Sequence, residues 1–225
     1  MRNVIRNIEL ADTSLVLNGG LNTLELLVIR HGQSEADLLG RHEGRADFAL
    51  TDLGIIQAQH LADWVSCNYP PDYIISSTLK RASMTAEILS NTIGVNVDYD
   101  DALMEFNNGL LAGQTHEEAR VKYPIPEGGK KPHESYYEQE SMIEFRTRAE
   151  AVLSRIIHEY PSDKRIAIIS HGGMINMLFR SFMSLPMHTE YGIYNGDTAI
   201  HLWVIDGNKR YIKFLNSREH LVTLE

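Results

Sequence analysis

Short apolar runs alternate with amphipathic patterns along the chain, and the two patterns predict different elements. A short continuous apolar run between turn residues is typical of a strand buried on both faces, whereas apolar residues spaced three and four apart are typical of a helix. The runs predict strands at 24–29, 72–76, 95–99 and 165–170. The spaced patterns predict helices at 52–66, 78–92, 140–159 and 173–184.

Two of the helical patterns also predict which face of the helix is buried. The helix at 52–66 has an apolar face formed by Leu53, Ile56, His60 and Trp64. The helix at 140–159 has an apolar face formed by Met142, Phe145, Ala149, Val152 and Ile156. We expect each of these faces to pack against a sheet, because an amphipathic helix buries its apolar stripe.

The alternation of strands and helices predicts an α/β fold with three layers, α/β/α, around a mainly parallel central sheet. Residues 198–205 and 209–215 are predicted to form a hairpin near the end of the chain. We interpret residues 1–225 as a single domain. Within it, residues 1–23 are an N-terminal extension, either an added strand or a contact in a homodimer, and residues 106–139 are an excursion over the site.

Composition and charge exclude several classes of protein. The 225 residues are 43% hydrophobic and 23% charged, which is typical of a globular chain and excludes a disordered or fibrous one. The net charge of −9 argues against nonspecific binding to nucleic acid and against a basic membrane-surface helix. No apolar run is long enough to span a membrane. The single cysteine, Cys67, is expected to be partly buried and fits a reducing compartment, so we expect a cytoplasmic protein.

Histidines and arginines follow three of the predicted strands. Arg30 and His31 come directly after the first strand, His171 directly after the strand at 165–170, and Arg81 shortly after the strand at 72–76. Ligands of open α/β sheets bind beyond the carboxyl ends of the strands. We therefore expect these four side chains to meet at one edge of the sheet.

This set of residues suits the transfer of a phosphoryl group through a histidine. Guanidinium groups bind phosphate oxygens in a bidentate manner and stay charged. Nearby positive charge also disfavours the protonated imidazole, and the neutral imidazole is a nucleophile that can attack phosphorus. Glu105, in a glycine-containing loop after the third strand, is our candidate for the group that donates a proton to the leaving alkoxide.

The chain resembles the histidine phosphatase superfamily, in its phosphoglycerate mutase-like branch. Six ordered segments carry the resemblance: Arg30-His31-Gly32-Gln33-Ser34, residues 49–58, residues 76–86, Gly113-Gln114-Thr115, Gln139-Glu140-Ser141 and Ser170-His171-Gly172-Gly173. The resemblance implies a phosphoglycerate mutase-like fold that acts without a metal or cofactor. It also implies roles for site residues: His31 as the phosphorylated nucleophile, Glu105 as proton donor, Arg30, Arg81 and His171 as the phosphate pocket, and Gly172 as a backbone N–H donor.

Two acidic residues depart from the family pattern. Asp37 stands where the family usually has asparagine, and Glu43 precedes Gly44 where a small neutral polar residue is common. We place Asp37, Glu43 and Gly44 at the phosphate-binding site. A carboxylate near phosphate weakens binding unless it is paired, protonated or facing a cationic part of the substrate. We expect Asp37 to contact an arginine, and Glu43 either to line the site or to point into solvent.

These residues predict a phosphomonoesterase that acts on a small phosphorylated metabolite. The alternative is a cofactor-dependent phosphoglycerate mutase, which needs more positive charge around the substrate. Cations for it are available in the 106–139 segment, although solvated lysines are the simpler interpretation of that loop: Lys122, Lys130, Lys131 and His133. A third hypothesis, suggested by Asp37 and Glu43, is a weakly catalytic protein that binds a phosphorylated ligand. We expect no metal site, since the one plausible cluster, His42 with Asp37 and Glu43, is not needed by the chemistry.

Overall fold

The described part of the chain, residues 23–187 and 189–222 of a computed structural model, is built around one mixed β-sheet. In order along the chain its strands are β1 (Thr23–Arg30), β2 (Tyr73–Ser76), β3 (Val97–Tyr99), β4 (Arg165–Ser170), β5 (Ile200–Asp206) and β6 (Lys209–Ser217). Across the sheet the order is β3-β2-β4-β1-β5-β6. The four strands from β3 to β1 run parallel, and β5 and β6 form an antiparallel hairpin next to β1. The prediction of a mainly parallel sheet is therefore confirmed.

The register of the parallel strands brings their carboxyl ends to one edge. Arg30 at the end of β1 lies opposite Ser170 at the end of β4. Ser76 at the end of β2 lies opposite Ile169, one residue earlier in β4. The chain segments that leave these three strands therefore start side by side.

Helices cover both faces of the sheet. Their bounds are α1 (Glu35–Leu39), α2 (Asp52–Asn68), α3 (Lys80–Ile93), α4 (His116–Lys122), α5 (Met142–Glu159) and α6 (Gly172–Phe182). Strand β1 is buried on both sides: Leu26 and Val28 pack in the core with α5 and α6, and Leu27 and Ile29 pack in the core with α2 and α3. The continuous apolar run in the sequence is thus explained by two hydrophobic cores, one on each face.

The predicted buried face of α5 is confirmed, but that of α2 is wrong. Leu53 and Ile56 are 44% and 46% exposed, and the buried face of α2 is formed by Gly54, Gln57, Ala58, Leu61, Ala62 and Val65. The reason lies at Gly54, where an added Cβ would approach the Gln33 carbonyl oxygen to 2.1 Å. Because only glycine allows this contact, the small face of the helix turns inward and the larger apolar residues turn outward.

Smaller features also differ from the sequence prediction. The sequence patterns give no bounds for helices α1 and α4, since five and seven residues are too few to show a periodic pattern. Both begin with a capping box, Ser34 with Asp37 and Thr115 with Glu118. Cys67 is exposed rather than partly buried. The predicted extension at 1–23 falls outside the described residues apart from Thr23, which begins β1. Among the described helices, none has the length and apolar character needed to cross a lipid bilayer.

Candidate active site

The residues after β1, β2 and β4 meet at the carboxyl edge of the sheet. The His31 N–H donates to the Ser170 carbonyl at 3.1 Å, and the Ser77 N–H donates to the Ile169 carbonyl at 3.0 Å. These backbone bonds place the His31 and His171 rings with their centroids 5.1 Å apart. The structure therefore brings together the histidines that the sequence analysis placed at separate strand ends.

His31 is held in one tautomer by its own loop. Its Nδ1 lies 2.7 Å from the Gly32 carbonyl oxygen, and because a carbonyl only accepts hydrogen bonds, Nδ1 carries the proton. Nε2 is then the unprotonated nitrogen, and it accepts a hydrogen bond from Arg81 Nε at 3.3 Å. The lone pair of Nε2 is the one that can attack a substrate.

The surroundings of His31 keep the imidazole neutral. The side chain is 1% exposed. Burial lowers the pKa of His31 well below 6.5, and the positive charges of Arg81 and Arg30 lower it further, against a smaller opposing effect of the Gly32 carbonyl. A neutral imidazole at physiological pH is the nucleophilic form.

His171 faces the same space from the other side. Its Nε2 is 2.8 Å from Ser77 Oγ. That hydroxyl oxygen also accepts from the Leu79 N–H at 3.3 Å. Nδ1 of His171 is a buried atom that has no hydrogen-bond partner in the structure.

Arg81 is fully buried and fixed on all sides. Its Nη1 and Nη2 donate to the carbonyls of Ala46 and Gly44 at 3.0 and 2.9 Å, while Nε donates to His31. Arg30 lies on the opposite side of the site, where Nη1 donates to the Asn195 carbonyl at 2.7 Å. Both guanidinium groups are oriented before any ligand binds.

Glu105 is anchored at the start of α6. One carboxylate oxygen accepts the Phe106 N–H at 2.7 Å, and the other accepts the Gly173 N–H at 2.8 Å. The loop that carries Glu105 is held by Arg148 of α5, whose guanidinium donates to the carbonyls of Met104 and Glu105. Glu105 therefore points at the start of α6, directly after His171.

The two acidic residues of the rim loop have different positions. Asp37 is exposed and accepts a hydrogen bond from the Ser34 backbone N–H at 2.9 Å. The expected contact of Asp37 with an arginine is wrong, because its carboxylate closes the cap of α1. Glu43 points inward: its side chain is 18% exposed, with Oε2 3.9 Å from His31 Nε2 and Oε1 3.4 Å from Arg81 Nε. Gly44 contributes its carbonyl to Arg81.

Other predicted residues lie at the margin of the site. Gly172 begins α6, and its position is close to Arg30, with an added Cβ 4.0 Å from Arg30 Nε. His42 does not gather with Asp37 and Glu43; its Nε2 is 3.2 Å from Nδ1 of His116. In residues 23–187 and 189–222 no group of three or more His, Cys, Asp or Glu side chains is arranged to hold a metal ion.

Sequence reasoning missed several residues that hold the site in place. Ser34 is buried and bonds Glu43, Ser77 bonds His171, and Asp197 lies 3.5 Å from Arg30. Arg148 of α5 and Glu140, which precedes that helix, hold the Glu105 loop. Ser34 and Ser77 stand inside the segments that carry the family resemblance, which is the signal that points to them. Asp197 and Arg148 act from distant parts of the chain, and no local pattern marks them.

Fold and site together define an α/β protein with paired histidines and arginines at the carboxyl edge of its parallel strands. The model of the histidine phosphatase superfamily (branch 1) matches residues 26–218. The chain therefore belongs to the histidine phosphatase superfamily, as its sequence segments predicted.

Relatives of this chain are named either as phosphoglycerate mutases or as phosphatases. A probable phosphoglycerate mutase of Yersinia pestis (strain Pestoides F) is 32% identical over 175 residues, which is 74% of this chain and 78% of that protein. A mycobacterial glucosyl-3-phosphoglycerate phosphatase superposes with a TM-score of 0.73 at 25% identity, covering 86% of this chain and 98% of the other. A phosphoserine phosphatase mutant of Entamoeba histolytica, in complex with phosphoserine, gives a TM-score of 0.72 at 25% identity, covering 88% and 100%.

Proposed function

We propose that this protein is a phosphomonoesterase that hydrolyses a small phosphorylated metabolite through a phosphohistidine on His31. The observation that carries the proposal is the presentation of His31 Nε2. Nδ1 is tied to the Gly32 carbonyl, and Nε2 faces Arg81 as a neutral, unprotonated nitrogen. A buried imidazole fixed in this way is suited to nucleophilic attack.

In the first step His31 Nε2 attacks the phosphorus of the ester. An N–P bond forms, the P–O bond to the alcohol breaks, and the alkoxide takes a proton from the Glu105 carboxyl group. Arg30, Arg81 and His171 Nδ1 donate to the phosphoryl oxygens and stabilise the charge that develops there. The product of this step is the free alcohol and a phosphoryl-enzyme.

In the second step water attacks the same phosphorus. The Glu105 carboxylate takes a proton from the water, a new P–O bond forms, and the N–P bond breaks to release inorganic phosphate and restore His31. Glu105 ends in its acid form, ready for the next ester. In this scheme arginines supply the positive charge, so we propose that turnover needs no metal and survives a chelator.

The test is phosphate release from p-nitrophenyl phosphate by the wild type and by His31→Ala. We expect the variant to lose at least about 1,000-fold in kcat, because the nucleophile is gone. His42→Ala, which removes a histidine outside the reaction, is the matched control and is expected to keep wild-type kcat. Full activity of His31→Ala would contradict the mechanism, and tight ester binding without turnover by the wild type would favour the binding-protein reading.

A phosphoglycerate mutase is the second candidate, because of the relative that carries that name. The phosphatase is favoured by the lysines of the 106–139 segment: Lys122 and Lys130 bond the side chains of Gln114 and Gln139, and Lys131 pairs with Glu134. These cations are engaged within their own loop. The fate of the phosphoryl group separates the candidates, since a mutase returns it to a sugar acid and depends on a bisphosphorylated cofactor. A cytoplasmic location and a homodimer stay predictions.

A further inference from the structure

Glu43 lies beside the nitrogen that would carry the phosphoryl group. Its Oε2 is 3.9 Å from His31 Nε2, and its Oε1 contacts both Arg81 Nε, at 3.4 Å, and the Ser34 hydroxyl. A phosphoryl group bonded to Nε2 would bring its oxygens into contact with the Glu43 carboxyl group, because 3.9 Å is less than the reach of such a group plus one hydrogen bond. Glu43 is therefore a neighbour of the reacting group.

The backbone around Glu43 holds it there. Gly44 has a φ of +47°, and an added Cβ at this position would collide with the Asn108 side chain at 1.8 Å. This left-handed turn sends the Gly44 carbonyl to Arg81 Nη2 and lets the Ala46 N–H bond the Glu43 carbonyl at 2.8 Å. These bonds fasten the loop to the Arg81 guanidinium and hold Glu43 beside it.

The charges that face Glu43 come from three elements. Burial raises the pKa of Glu43 above its ordinary value, and Asp37 of α1 raises it further by repulsion. Arg81 of α3, the Ser34 hydroxyl and Arg30 of β1 act in the opposite direction, with a smaller net effect. His31, the remaining titratable neighbour, is itself kept neutral. Glu43 is therefore easier to protonate than an ordinary carboxyl group in water.

An ionised Glu43 and a phosphoryl group are incompatible neighbours. Both are anions, both need Arg81, and two facing oxygens at hydrogen-bonding distance require a proton between them. The neutral carboxylic acid removes the repulsion and supplies that proton as a hydrogen bond to a phosphoryl oxygen. Asp37 cannot do this from the exposed cap of α1.

We propose that Glu43 binds the phosphoryl group of the substrate as a neutral carboxylic acid, so that phosphate-ester binding takes up a proton at Glu43. This inference rests on the proposed phosphatase function for its substrate, and it makes Glu43 a determinant of affinity rather than the donor to the leaving group. Ester binding then weakens as the pH rises through the pKa of Glu43.

Sulfate is the probe of choice, because it resembles the phosphoryl group and stays a dianion across the pH range. Its binding is measured by titration calorimetry from about pH 5 to about pH 8. We expect the wild-type Kd to rise about tenfold per pH unit above the pKa of Glu43, and Glu43→Gln, whose amide donates at every pH, to show no such rise. Glu35→Gln removes the same charge from an exposed position of α1 and is expected to follow the wild type.

Proton uptake gives a second measurement that needs no variant. Sulfate binding by the wild type in two buffers of different ionisation enthalpy is expected to take up close to one proton at the alkaline end. A pH-independent wild-type Kd, absent proton uptake, or a Glu43→Gln slope equal to that of the wild type would each overturn the inference. So would a loss of kcat in Glu43→Gln as large as in Glu105→Gln, which would make Glu43 the proton donor.

The two proposals fail separately. If the wild type binds sulfate with the expected pH dependence and proton uptake but hydrolyses no ester, the phosphatase function is contradicted and the role of Glu43 is not. If the wild type hydrolyses esters through His31 but its Kd for sulfate does not change with pH, only the role of Glu43 is contradicted.

Discussion

Gly173 shows how one missing side chain sets the position of the candidate proton donor. A Cβ at this position would lie 2.4 Å from Glu105 Oε1, so the carboxylate can reach the Gly173 N–H only because the residue is glycine. In the sequence, Gly172 and Gly173 look equivalent, and the family resemblance points to Gly172 as the backbone donor. The neighbour that distinguishes them is 68 residues away in the chain.

The substitution Gly173→Ala tests this contact. The methyl group displaces Glu105 from the start of α6, and a misplacement of about 1 Å costs about 100-fold in kcat. Overpacking is expected to cost about 1–3 kcal/mol in the free energy of unfolding. Steady-state kinetics with p-nitrophenyl phosphate and urea unfolding measure the two effects.

The neighbouring glycine provides the comparison for that experiment. Gly172→Ala adds a methyl group whose nearest neighbour is Arg30 Nε at 4.0 Å, which is an ordinary van der Waals distance. We expect its loss in kcat to be much smaller than that of Gly173→Ala. Equal losses in the two variants would show that the position of Glu105 is not what Gly173 protects.

At the scale of elements, helix α5 supports the site from outside it. Arg148 donates to the carbonyls of Ala102, Met104 and Glu105 and pairs with Glu140, which itself accepts the Asn107 N–H. One guanidinium thus ties together the loop between β3 and α4. Because residues 102–107 are not part of the sheet, their position depends on these contacts with α5.

Arg148→Met keeps the length of the side chain and removes these bonds. Three carbonyls lose a donor and Glu140 loses its partner, and breaking a mostly buried pair costs about 3–5 kcal/mol at most. We expect a loss of about 2–4 kcal/mol in the free energy of unfolding, together with a lower kcat at nearly constant KM, because Glu105 is less well placed.

Arg155→Met is the matched control on the same helix. Arg155 is 45% exposed and pairs with Asp100, and an exposed ion pair contributes about 0–1 kcal/mol. We expect a small change in stability and wild-type kcat. If Arg148→Met and Arg155→Met had the same free energy of unfolding and the same kcat, α5 would not be what positions the Glu105 loop.

At the scale of the whole molecule, two buried histidines outside the site make stability depend on pH. Burial lowers the pKa of His201 and of His220 from 6.5 to about 4. Between these values the unfolded chain binds protons that the folded chain does not, so the free energy of unfolding falls as the pH falls from about 6.5 to about 4. Each histidine contributes about 3 kcal/mol to that fall.

The measurement is urea unfolding at about pH 7.5 and about pH 4.5, compared between variants. His201→Gln and His220→Gln are each expected to reduce the difference between the free energies of unfolding at the two pH values, whatever each variant does to the stability at about pH 7.5. His158→Gln changes an exposed histidine of α5 and is expected to leave the difference as in the wild type. A difference unaffected by both buried substitutions would place the acid sensitivity elsewhere.

The net charge of −9 is compatible with an anionic ligand at this scale. Positive charge is concentrated at the sheet edge, where Arg81 is fully buried and Arg30 is 21% exposed. Charges in such a setting are screened less than surface charges, so two arginines act strongly on a ligand in the site. The negative net charge argues only against a broad basic surface, and it does not argue against an anionic ligand in this site.

The sequence by itself determined the fold class, the buried strands and the meeting of His31, His171, Arg30 and Arg81. These follow from local periodicity and from the fact that parallel strands share a carboxyl edge. Tertiary structure alone decided that Gly54 and not Leu53 faces the core, that Glu43 points at His31, and that Gly173 receives Glu105. Each of these depends on contacts between segments distant in the chain, because the space around a side chain is set by what packs against it and leaves no mark in the local pattern.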